Sequence, residues 1–467
     1  MNSQKDKKEN RVLALALIDV AILSFSHAYD INAITILALV GFALILLFSP
    51  SRLFLPIMLF YLPWSPILKI SADSFTMFTL FVPLVFLVFM LKNGNKKRII
   101  DTNNIILVLL LTFITLATKL CLGYSISGEY LQFLFMMLFT PLYLRVYVDK
   151  IYFPTCIVYF AVGAISASAT SQILMNYPNM RSFIDVYEWR AIGLSRLSGF
   201  YGDSNFYSVH FLAAISGLLV MISKCKSKLE GVAEILGVFA LIYYGMMSVS
   251  KMFIICLILI IIVWVCGFLI GKGRFSSKFV IMMGIFAGLL FLFLSNVFIE
   301  QINYYLVRFN MTDNTTSSFT TGRSDLWVSY LSYIFNDIWV LLFGIGLTNI
   351  RLSVFLNDTH NIVIEMLYQI GIVGSGIIVI WIKKLWNSIC IKNKLSFGNR
   401  IYQFVMLIGL FLPWMALDML YFDEFFYILW LYLVFKKYIM ESNSEKVSAL
   451  KIMSDVKSYV NKTVEIQ

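Results

Sequence analysis

The sequence predicts an all-α polytopic membrane protein with about 14 transmembrane helices. The first observation behind this prediction is composition: 60% of the 467 residues are hydrophobic, 13% are charged, and the mean hydropathy is +0.83. Soluble domains are about 45–50% apolar and about 25% charged. The second observation is that the apolar residues form long runs, and the third is that short basic segments separate these runs.

The apolar runs have the length that a membrane-spanning helix needs, about 17 to 25 residues. The candidate spans are 12–29, 31–49, 53–70, 74–91, 104–122, 129–148, 151–175, 205–222, 231–249, 252–270, 279–298, 361–382, 401–419 and 424–437. Pro56, Pro63 and Pro66 interrupt the third run, and the last run is short. Either of these two is also compatible with a kinked or re-entrant element.

The charged connections predict the orientation of the spans, because Lys and Arg favour the cytoplasmic side. Counting from the basic N-terminus, every second connection is basic, and the series ends at Lys436 and Lys437. Both termini are therefore predicted to be cytoplasmic. A single transmembrane domain is expected over residues 1–437, followed by a cytoplasmic tail over 438–467.

Two long connections, 176–204 and 299–360, are then external. Their cations are nearly all arginine, whereas the predicted cytoplasmic connections favour lysine. The guanidinium group matches phosphate or carboxylate in a bidentate geometry. The external arginines therefore predict an anion-binding role; they are Arg181, Arg190, Arg196, Arg308, Arg323 and Arg351.

Charge and cysteine content exclude several other classes of protein. The net charge of +11 comes from Lys and Arg in short segments between apolar runs, which is typical of topology signals rather than of a nucleic-acid surface. The six cysteines lie mostly within apolar runs, without the spacing of a metal knuckle or of a disulfide framework. We expect neither a metal nor a cofactor.

The densest group of polar residues lies at 343–376, where a turn with two glycines precedes a polar cluster and a long apolar run. Its residues of interest are Gly344, Gly346, Arg351, Asp358, Thr359, His360, Asn361 and Glu365. Asp358 or Thr359 is expected to cap the helix that follows. The positive helix N-terminus disfavours an imidazolium, so His360 is predicted to be a neutral base, or else simply part of the cap. Asn361 and Glu365 share one helix face, and Glu365 is either functional or close enough to the surface to stay hydrated.

A second group lies at 196–205, where Arg196 and two glycines precede Asp203, Ser204 and Asn205 at the start of a helix. Gly199 and Gly202 permit a close turn, and Asp203, Ser204 and Asn205 are expected to cap the helix. A hydrated loop arginine is the alternative for Arg196.

Other polar residues are distributed along the chain. Lys251, at an outer turn, and Arg323, between Gly322 and Ser324, are either site cations or cations that extend to the membrane interface. His27 and His210 are interpreted as packed or hydrogen-bonded core residues, and Asp19 has no partner that the sequence identifies.

Taken together, these segments resemble the O-antigen polymerase and O-antigen ligase superfamily of bacterial envelope glycosyltransferases. The resemblance covers about residues 196–376 and rests on the order of its elements. These are Arg196 to Asn205, then Lys251, then Gly322, Arg323 and Trp327, then Gly344 and Gly346, and finally His360, Asn361, Gly371 and Gly374. Lys251 departs from the arginine that is more typical of its position.

This resemblance implies a function for the site. The protein would polymerise undecaprenyl-diphosphate-linked repeat units into O-antigen or a related surface polysaccharide, on the outer face of the bacterial cytoplasmic (inner) membrane and without a metal. It implies that Arg196, Lys251 and Arg323, with Arg351 as a lesser candidate, bind the diphosphate. His360 would activate the acceptor hydroxyl, with Glu365 as a second catalytic candidate and Gly199, Asp203, Asn205 and Asn361 in support.

The implied partners are the lipid-linked glycan donor and acceptor and the bilayer, and a chain-length regulator is a further candidate. An O-antigen ligase, which transfers polymer to lipid A core, is the first alternative, and the span count favours the polymerase. A polysaccharide flippase is an alternative of another class, which predicts charges at the membrane midplane and a two-halved repeat.

Overall fold

The protein is built almost entirely from α-helices, as the sequence predicts. The computed structural model describes residues 2–71, 76–93, 102–181, 183–184, 186–189, 194–225, 227–270, 296–310, 322–348, 358–389 and 395–441. Arg351 and most of the tail predicted at 438–467 lie outside these ranges.

Up to residue 174, the part of the chain that the structure describes forms seven α-helices and two short 3₁₀ segments. The α-helices are α1 (Asn2–Ala28), α2 (Asn32–Phe48), α3 (Phe54–Tyr61), α4 (Met77–Asn93), α5 (Thr102–Leu122), α6 (Gly128–Tyr147) and α7 (Phe153–Leu174). The 3₁₀ segments Ser51–Leu53 and Leu62–Ile67 flank α3. The prolines of the third predicted span thus shorten its α-helix to eight residues, because proline lacks a backbone N–H and clashes with the preceding turn.

The first predicted external connection contains a small β-hairpin, which is the one described departure from an all-α fold. It follows a 3₁₀ turn at Pro178–Met180 and pairs β1 (Val186–Trp189) with β2 (Leu194–Leu197) in antiparallel register. Tyr187 pairs with Arg196. Valine, tyrosine and tryptophan favour strands, and this stretch is too short and too polar to read as a span.

The described residues of the second part of the chain form nine further α-helices. These are α8 (Ser204–Lys224), α9 (Lys228–Met247), α10 (Lys251–Ile270), α11 (Asn296–Asn310), α12 (Arg323–Asn336), α13 (Ile338–Phe343), α14 (Ile362–Ile389), α15 (Phe397–Phe411) and α16 (423–441). Helices α12, α13 and most of α11 lie within 299–360, so the described residues of this predicted connection are largely helical. A 3₁₀ segment, Leu412–Ala416, extends α15.

Seven of the described helices are long and apolar enough to cross a membrane: α1 from Lys8, α5, α7, α8, α9, α10 to Leu269, and α14. Helix α2 and the segment Ser51–Ile67 pass the same test together across a bend of 119°. This pair is either a broken span, which gives eight in total, or a re-entrant loop. Helices also occupy the predicted spans at α4, α6, α15 and α16. The predicted span at 279–298 lies mostly outside the described residues, and the full set of 14 spans remains a prediction.

The interior of the protein is formed by α3, α8 and α16. Every residue of α3 is buried, and α8 is the most enclosed of the candidate spans, packing against α7, α9, α10 and α15. Helix α16 inserts aromatic rings into the same core, where Trp430 stacks on Tyr143 at 5.1 Å between ring centroids. The N-terminal ends of α8 and α16 and the segments before them carry the polar residues described next.

Candidate active site

Helix α14 is broken at Gly371 by a turn from the preceding connection. Gly371 has φ 63° and ψ −173°, which interrupts the helical hydrogen bonding. The turn that contains Gly344 and Gly346 occupies the gap: the Ile345 N–H donates to the Tyr368 carbonyl at 3.0 Å, and the N–H groups of Gly346 and Leu347 donate to the Gln369 carbonyl at 3.0 and 2.8 Å. The predicted G-x-G turn therefore docks on α14, and the predicted continuous span is two helical segments.

Glycine is required at this contact on both sides. A Cβ on Gly344 would lie 2.4 Å from the backbone of Gln369 and Ile370, and a Cβ on Gly371 would lie 2.4 Å from the Leu342 carbonyl group. Both residues also have positive φ, which L-residues with a side chain rarely adopt. The contact holds the start of α14 at a fixed distance from α13.

Asn361 caps the N-terminus of α14. Its Oδ1 accepts from the N–H groups of Val363 and Ile364 at 3.0 and 3.3 Å, and its Nδ2 donates to the Met415 carbonyl at 3.3 Å. The prediction that Asp358 or Thr359 caps this helix is wrong, because the helix begins one turn later than they would require. Asn361 supports the site by fixing both the helix start and the segment after α15.

Asp418 holds the two residues before this cap. The Thr359 hydroxyl donates to its Oδ1, and the His360 N–H donates to its Oδ2 at 2.8 Å. His360 has φ 49°, an uncommon conformation for a residue other than glycine. The carboxylate thus stabilises a strained backbone at the residue that the sequence predicts as the base.

The same carboxylate lies beside the His360 ring. Nδ1 is 3.7 Å from Asp418 Oδ2, and it is buried without a hydrogen-bond partner among the described residues. The side chain is 27% exposed. One ring nitrogen therefore lies close to a carboxylate, and part of the ring remains accessible to a substrate.

The surroundings of His360 lower its pKa. Burial lowers the pKa of His360, and the Arg323 guanidinium lowers it further, while Asp418, Asp203 and Asp358 act in the opposite direction. Burial and the neighbouring cation are thus the causes that the structure gives, whereas the sequence argument relied on the helix N-terminus.

Arg323 is the cation that lowers the pKa of the His360 ring. It is the first residue of α12, after Gly322 with φ 80°, and its Nη1 donates to the Ala416 carbonyl at 3.1 Å. Burial lowers the pKa of Arg323, and Asp203 and Asp418 raise it. Because arginine titrates far above neutral pH, the group stays charged.

The second predicted group, 196–205, reaches the turn that carries Lys251. The Arg196 Nε–H donates to the Ser248 carbonyl at 3.0 Å, and the Ser250 hydroxyl donates to Asn205 Oδ1 at 2.7 Å. Val249, between these serines, has φ 46°, which is strained for a β-branched residue. Arg196 and Asn205 thus converge with the predicted cation Lys251 on one strained turn.

Asp203 connects the two predicted groups. Its Oδ1 accepts from the Asn205 N–H at 2.6 Å, which caps α8, and its charge acts on both Arg323 and His360. Gly199, with φ 59°, allows the chain to pass against the Tyr207 ring, since a Cβ there would lie 2.3 Å from it. Through Asp203 the segment 196–205 comes within electrostatic reach of Arg323 and His360, and through Arg196 and Asn205 it contacts the turn before Lys251.

Glu365 has a different position from the one expected of a catalytic group. The residue is 4% exposed, and Oε2 accepts from the N–H groups of Met419 and Leu420 at 3.0 and 3.2 Å. These bonds offset the cost of a buried carboxylate. Glu365 therefore holds the segment that carries Asp418, and its polar contacts are to backbone rather than to the His360 ring.

Sequence reasoning missed Asp418 and the acidic residues that follow it. Three acidic residues, Asp418, Asp423 and Glu424, lie within a stretch of seven residues between two apolar runs, and this stretch contains no basic residue. They were interpreted as the ends of two spans. Three carboxylates at one span boundary are costly in a membrane protein, and this cost is the signal that identifies them.

Three other polar residues of the predicted spans, His27, Asp19 and His210, have partners in the structure. His27 Nε2 lies 3.0 Å from the Ile67 carbonyl, and the Tyr61 hydroxyl donates to Asp19 at 2.7 Å. His210 is hydrogen-bonded, as predicted, but one partner is the ionisable Glu424, at 3.1 Å. This partner cannot be recognised from the sequence, because His210 and Glu424 are 214 positions apart.

The described residues include no group of three or more His, Cys, Asp or Glu side chains that is placed to hold a metal ion. Comparison with known proteins gives no match to any family model, to any curated protein or to any solved structure.

Proposed function

We propose that the protein is a membrane glycosyltransferase that polymerises undecaprenyl-diphosphate-linked repeat units into a surface polysaccharide. The observation that carries the proposal is a partly accessible His360 of lowered pKa, with a carboxylate at one ring nitrogen and the half-buried cation Arg323 within electrostatic reach. Catalysis of glycosyl transfer needs a proton acceptor for the attacking hydroxyl and positive charge for the leaving diphosphate. This site contains both.

In the proposed reaction, His360 accepts the proton of the acceptor sugar hydroxyl as the hydroxyl oxygen bonds to the anomeric carbon of the donor. The bond between that carbon and the diphosphate oxygen breaks, and undecaprenyl diphosphate leaves with the electron pair. Asp418 stabilises the imidazolium that forms, in the manner of a carboxylate that orients a catalytic histidine.

The cations are assigned to the leaving group. Arg323 is held by the Ala416 carbonyl and is half-buried, so its charge is fixed where protein partly shields it from water. Arg196 and Lys251 are placed at the adjoining turn, and Arg351 stays a candidate from sequence alone. The site is assigned to the outer face of a bacterial cytoplasmic membrane, as the charge pattern of the connections predicts.

The experiment that tests this proposal uses purified full-length protein in lipid vesicles. The probe is the lipid-linked oligosaccharide pool extracted from cells that lack the protein, and the products are measured by mass spectrometry. We expect longer oligomers on undecaprenyl diphosphate, and we expect His360→Ala and Arg196→Ala to abolish them at matched membrane insertion.

The outcomes separate this proposal from the alternatives. Movement of the probe across the vesicle membrane without any new glycosidic bond would identify a flippase. Transfer of preformed polymer to lipid A core, with no lengthening of the lipid-linked pool, would identify a ligase. Full-length product from His360→Ala would remove that residue from the mechanism.

A further inference from the structure

Three hydrogen-bonded side chains, Tyr201, His210 and Glu424, connect two segments of the candidate site. Glu424 Oε1 accepts a hydrogen bond from the Tyr201 hydroxyl at 2.8 Å and lies 3.1 Å from His210 Nε2. The side chains of His210 and Glu424 are 1% and 3% exposed. These groups take no part in the proposed reaction, and burial of a carboxylate is costly without a reason.

Tyr201 places this group in contact with three parts of the chain. Its hydroxyl oxygen lies 2.5 Å from the Leu62 carbonyl and 3.1 Å from the Ser65 hydroxyl, both in the 3₁₀ segment after α3. Its ring lies against that of His210, at 4.8 Å between ring centroids. One side chain therefore joins the first external connection, the 3₁₀ segment and α16.

The hydrogen bonds explain how the pair tolerates burial. His210 Nδ1 lies 3.3 Å from the Tyr207 carbonyl, a contact that needs a proton on Nδ1. The contact between Nε2 and Glu424 needs a second proton, on the ring or on the carboxyl group. With two protons, the imidazole and the carboxyl group together carry no net charge, which is the condition that a dry interior favours.

The neighbouring carboxylate is held separately. Asp423 Oδ1 accepts from Gln132 Nε2 at 2.6 Å, and Oδ2 accepts from the Thr79 hydroxyl at 3.4 Å. These contacts fix the start of α16 to α4 and α6. Glu424 is thus the residue of this helix end that is directed to the 196–205 segment.

We propose that Tyr201, His210 and Glu424 form a positioning unit that keeps Asp203 and Asp418 in place around Arg323 and His360. Tyr201 is two residues before Asp203, and Glu424 is six residues after Asp418. The bond between Tyr201 and Glu424 therefore fixes the separation of the two segments that carry the site's carboxylates. The inference rests on the proposed function only in naming the reaction that this placement serves.

Amide hydrogen exchange of the full-length protein, without substrate, tests the unit. The reporters are the Tyr201 N–H, which donates to the Ser198 carbonyl, and the Met419 and Leu420 N–H groups, which donate to Glu365. We expect Tyr201→Phe, which keeps the ring and removes the hydroxyl, to speed exchange about tenfold in peptides covering 196–203 and 417–422. We expect the same of Glu424→Ala, and wild-type rates for Glu424→Gln, which keeps the acceptor oxygen.

Thr140→Val is the matched control. It removes the hydrogen bond that Trp430, on the same helix as Glu424, donates to the Thr140 hydroxyl. This bond is buried, whereas the bond from Tyr201 to Glu424 is partly buried, and neither Trp430 nor Thr140 belongs to 196–203 or 417–422. Unchanged exchange in Tyr201→Phe, or equal acceleration by Thr140→Val, would overturn the proposal, as would Glu424→Gln behaving like Glu424→Ala. Should Glu424→Ala fail to fold, Tyr201→Phe still decides.

The result is independent of the chain-extension assay, because exchange is measured without donor or acceptor. Expected exchange with no chain extension would reject the proposed reaction and keep the positioning unit. Chain extension by the wild-type protein, with exchange rates that Tyr201→Phe leaves unchanged, would support the proposed reaction and reject the positioning unit.

Discussion

The charged residues of this site shift one another's pKa. His360 lies among Arg323, Asp203, Asp358 and Asp418, and the balance of burial and these charges leaves its pKa below the ordinary value. A base of this kind is available at neutral pH and is lost as the pH falls through its lowered pKa. The direction of each neighbour's effect can be measured without knowledge of the substrate.

We expect Asp418→Asn to lower the pKa of His360 further, because it removes a nearby negative charge. Arg323→Gln should raise this pKa, because it removes a nearby positive charge. The measurement is the pH dependence of carbethoxylation at His360 by diethyl pyrocarbonate, followed by mass spectrometry, since only the neutral ring reacts. Asp325→Asn, in the same helix as Arg323 but not among the groups that shift His360, should leave the midpoint unchanged. Shifts of the same sign in both variants would contradict the electrostatic account.

At the scale of elements, the length of an apolar run predicts where a helix lies. Contacts with other segments determine whether that helix is continuous. The predicted runs at 104–122 and 205–222 correspond to α5 and α8 within two residues at each end. The break at Gly371 was not predicted, because its donors come from Ile345, Gly346 and Leu347, more than 20 positions earlier. A continuous helix and a broken one have the same apolar periodicity. The break depends on the turn at 344–347, whose contact with α14 cannot be inferred from the sequence.

Gly371→Ala tests the break, and Gly376→Ala is its control in the same helix. A Cβ at 371 would meet the Leu342 carbonyl group and adopt positive φ, so we expect a loss of about 1–3 kcal/mol in the free energy of unfolding. A Cβ at 376 meets nothing within 4 Å, and alanine should stabilise the helix by about 0.5–1 kcal/mol. Unfolding in detergent measures both, and equal effects in the two variants would count against the contact.

At the scale of the whole molecule, the polar groups can be identified from the sequence, and their distant partners become apparent only in the fold. Asp203, His360, Asn361 and Arg323 were all identified locally, from residue type and position at helix starts. Asp418 was not, because its partner His360 is 58 positions away and a single carboxylate at a span boundary carries no periodic signal. Seven candidate spans confirm a helical membrane protein, and the orientation is still a prediction from charge.

Cysteine labelling in intact cells tests that orientation. In a background without native cysteines, Trp339→Cys on α13 should react with a membrane-impermeant maleimide from outside. Leu229→Cys at the start of α9 should react only after the membrane is permeabilised, because its neighbourhood is predicted to be cytoplasmic. Both side chains are exposed in the structure, at 69% and 79%. The reverse pattern would place the candidate site on the cytoplasmic side and exclude the proposed reaction.

The complete burial of α3 has a consequence for biosynthesis. The segment 51–67 is enclosed by residues made much later: Trp64 donates to the Ser166 hydroxyl, and the Leu62 carbonyl lies 2.5 Å from the Tyr201 hydroxyl oxygen. When this segment leaves the ribosome, about 100 residues of its surroundings do not yet exist, and only lipid or the insertion machinery can cover its apolar surface. The N-terminal helices therefore cannot reach their final packing in the order of synthesis. Segment 51–67 becomes enclosed only when α7 and the connection at 176–204 pack against it.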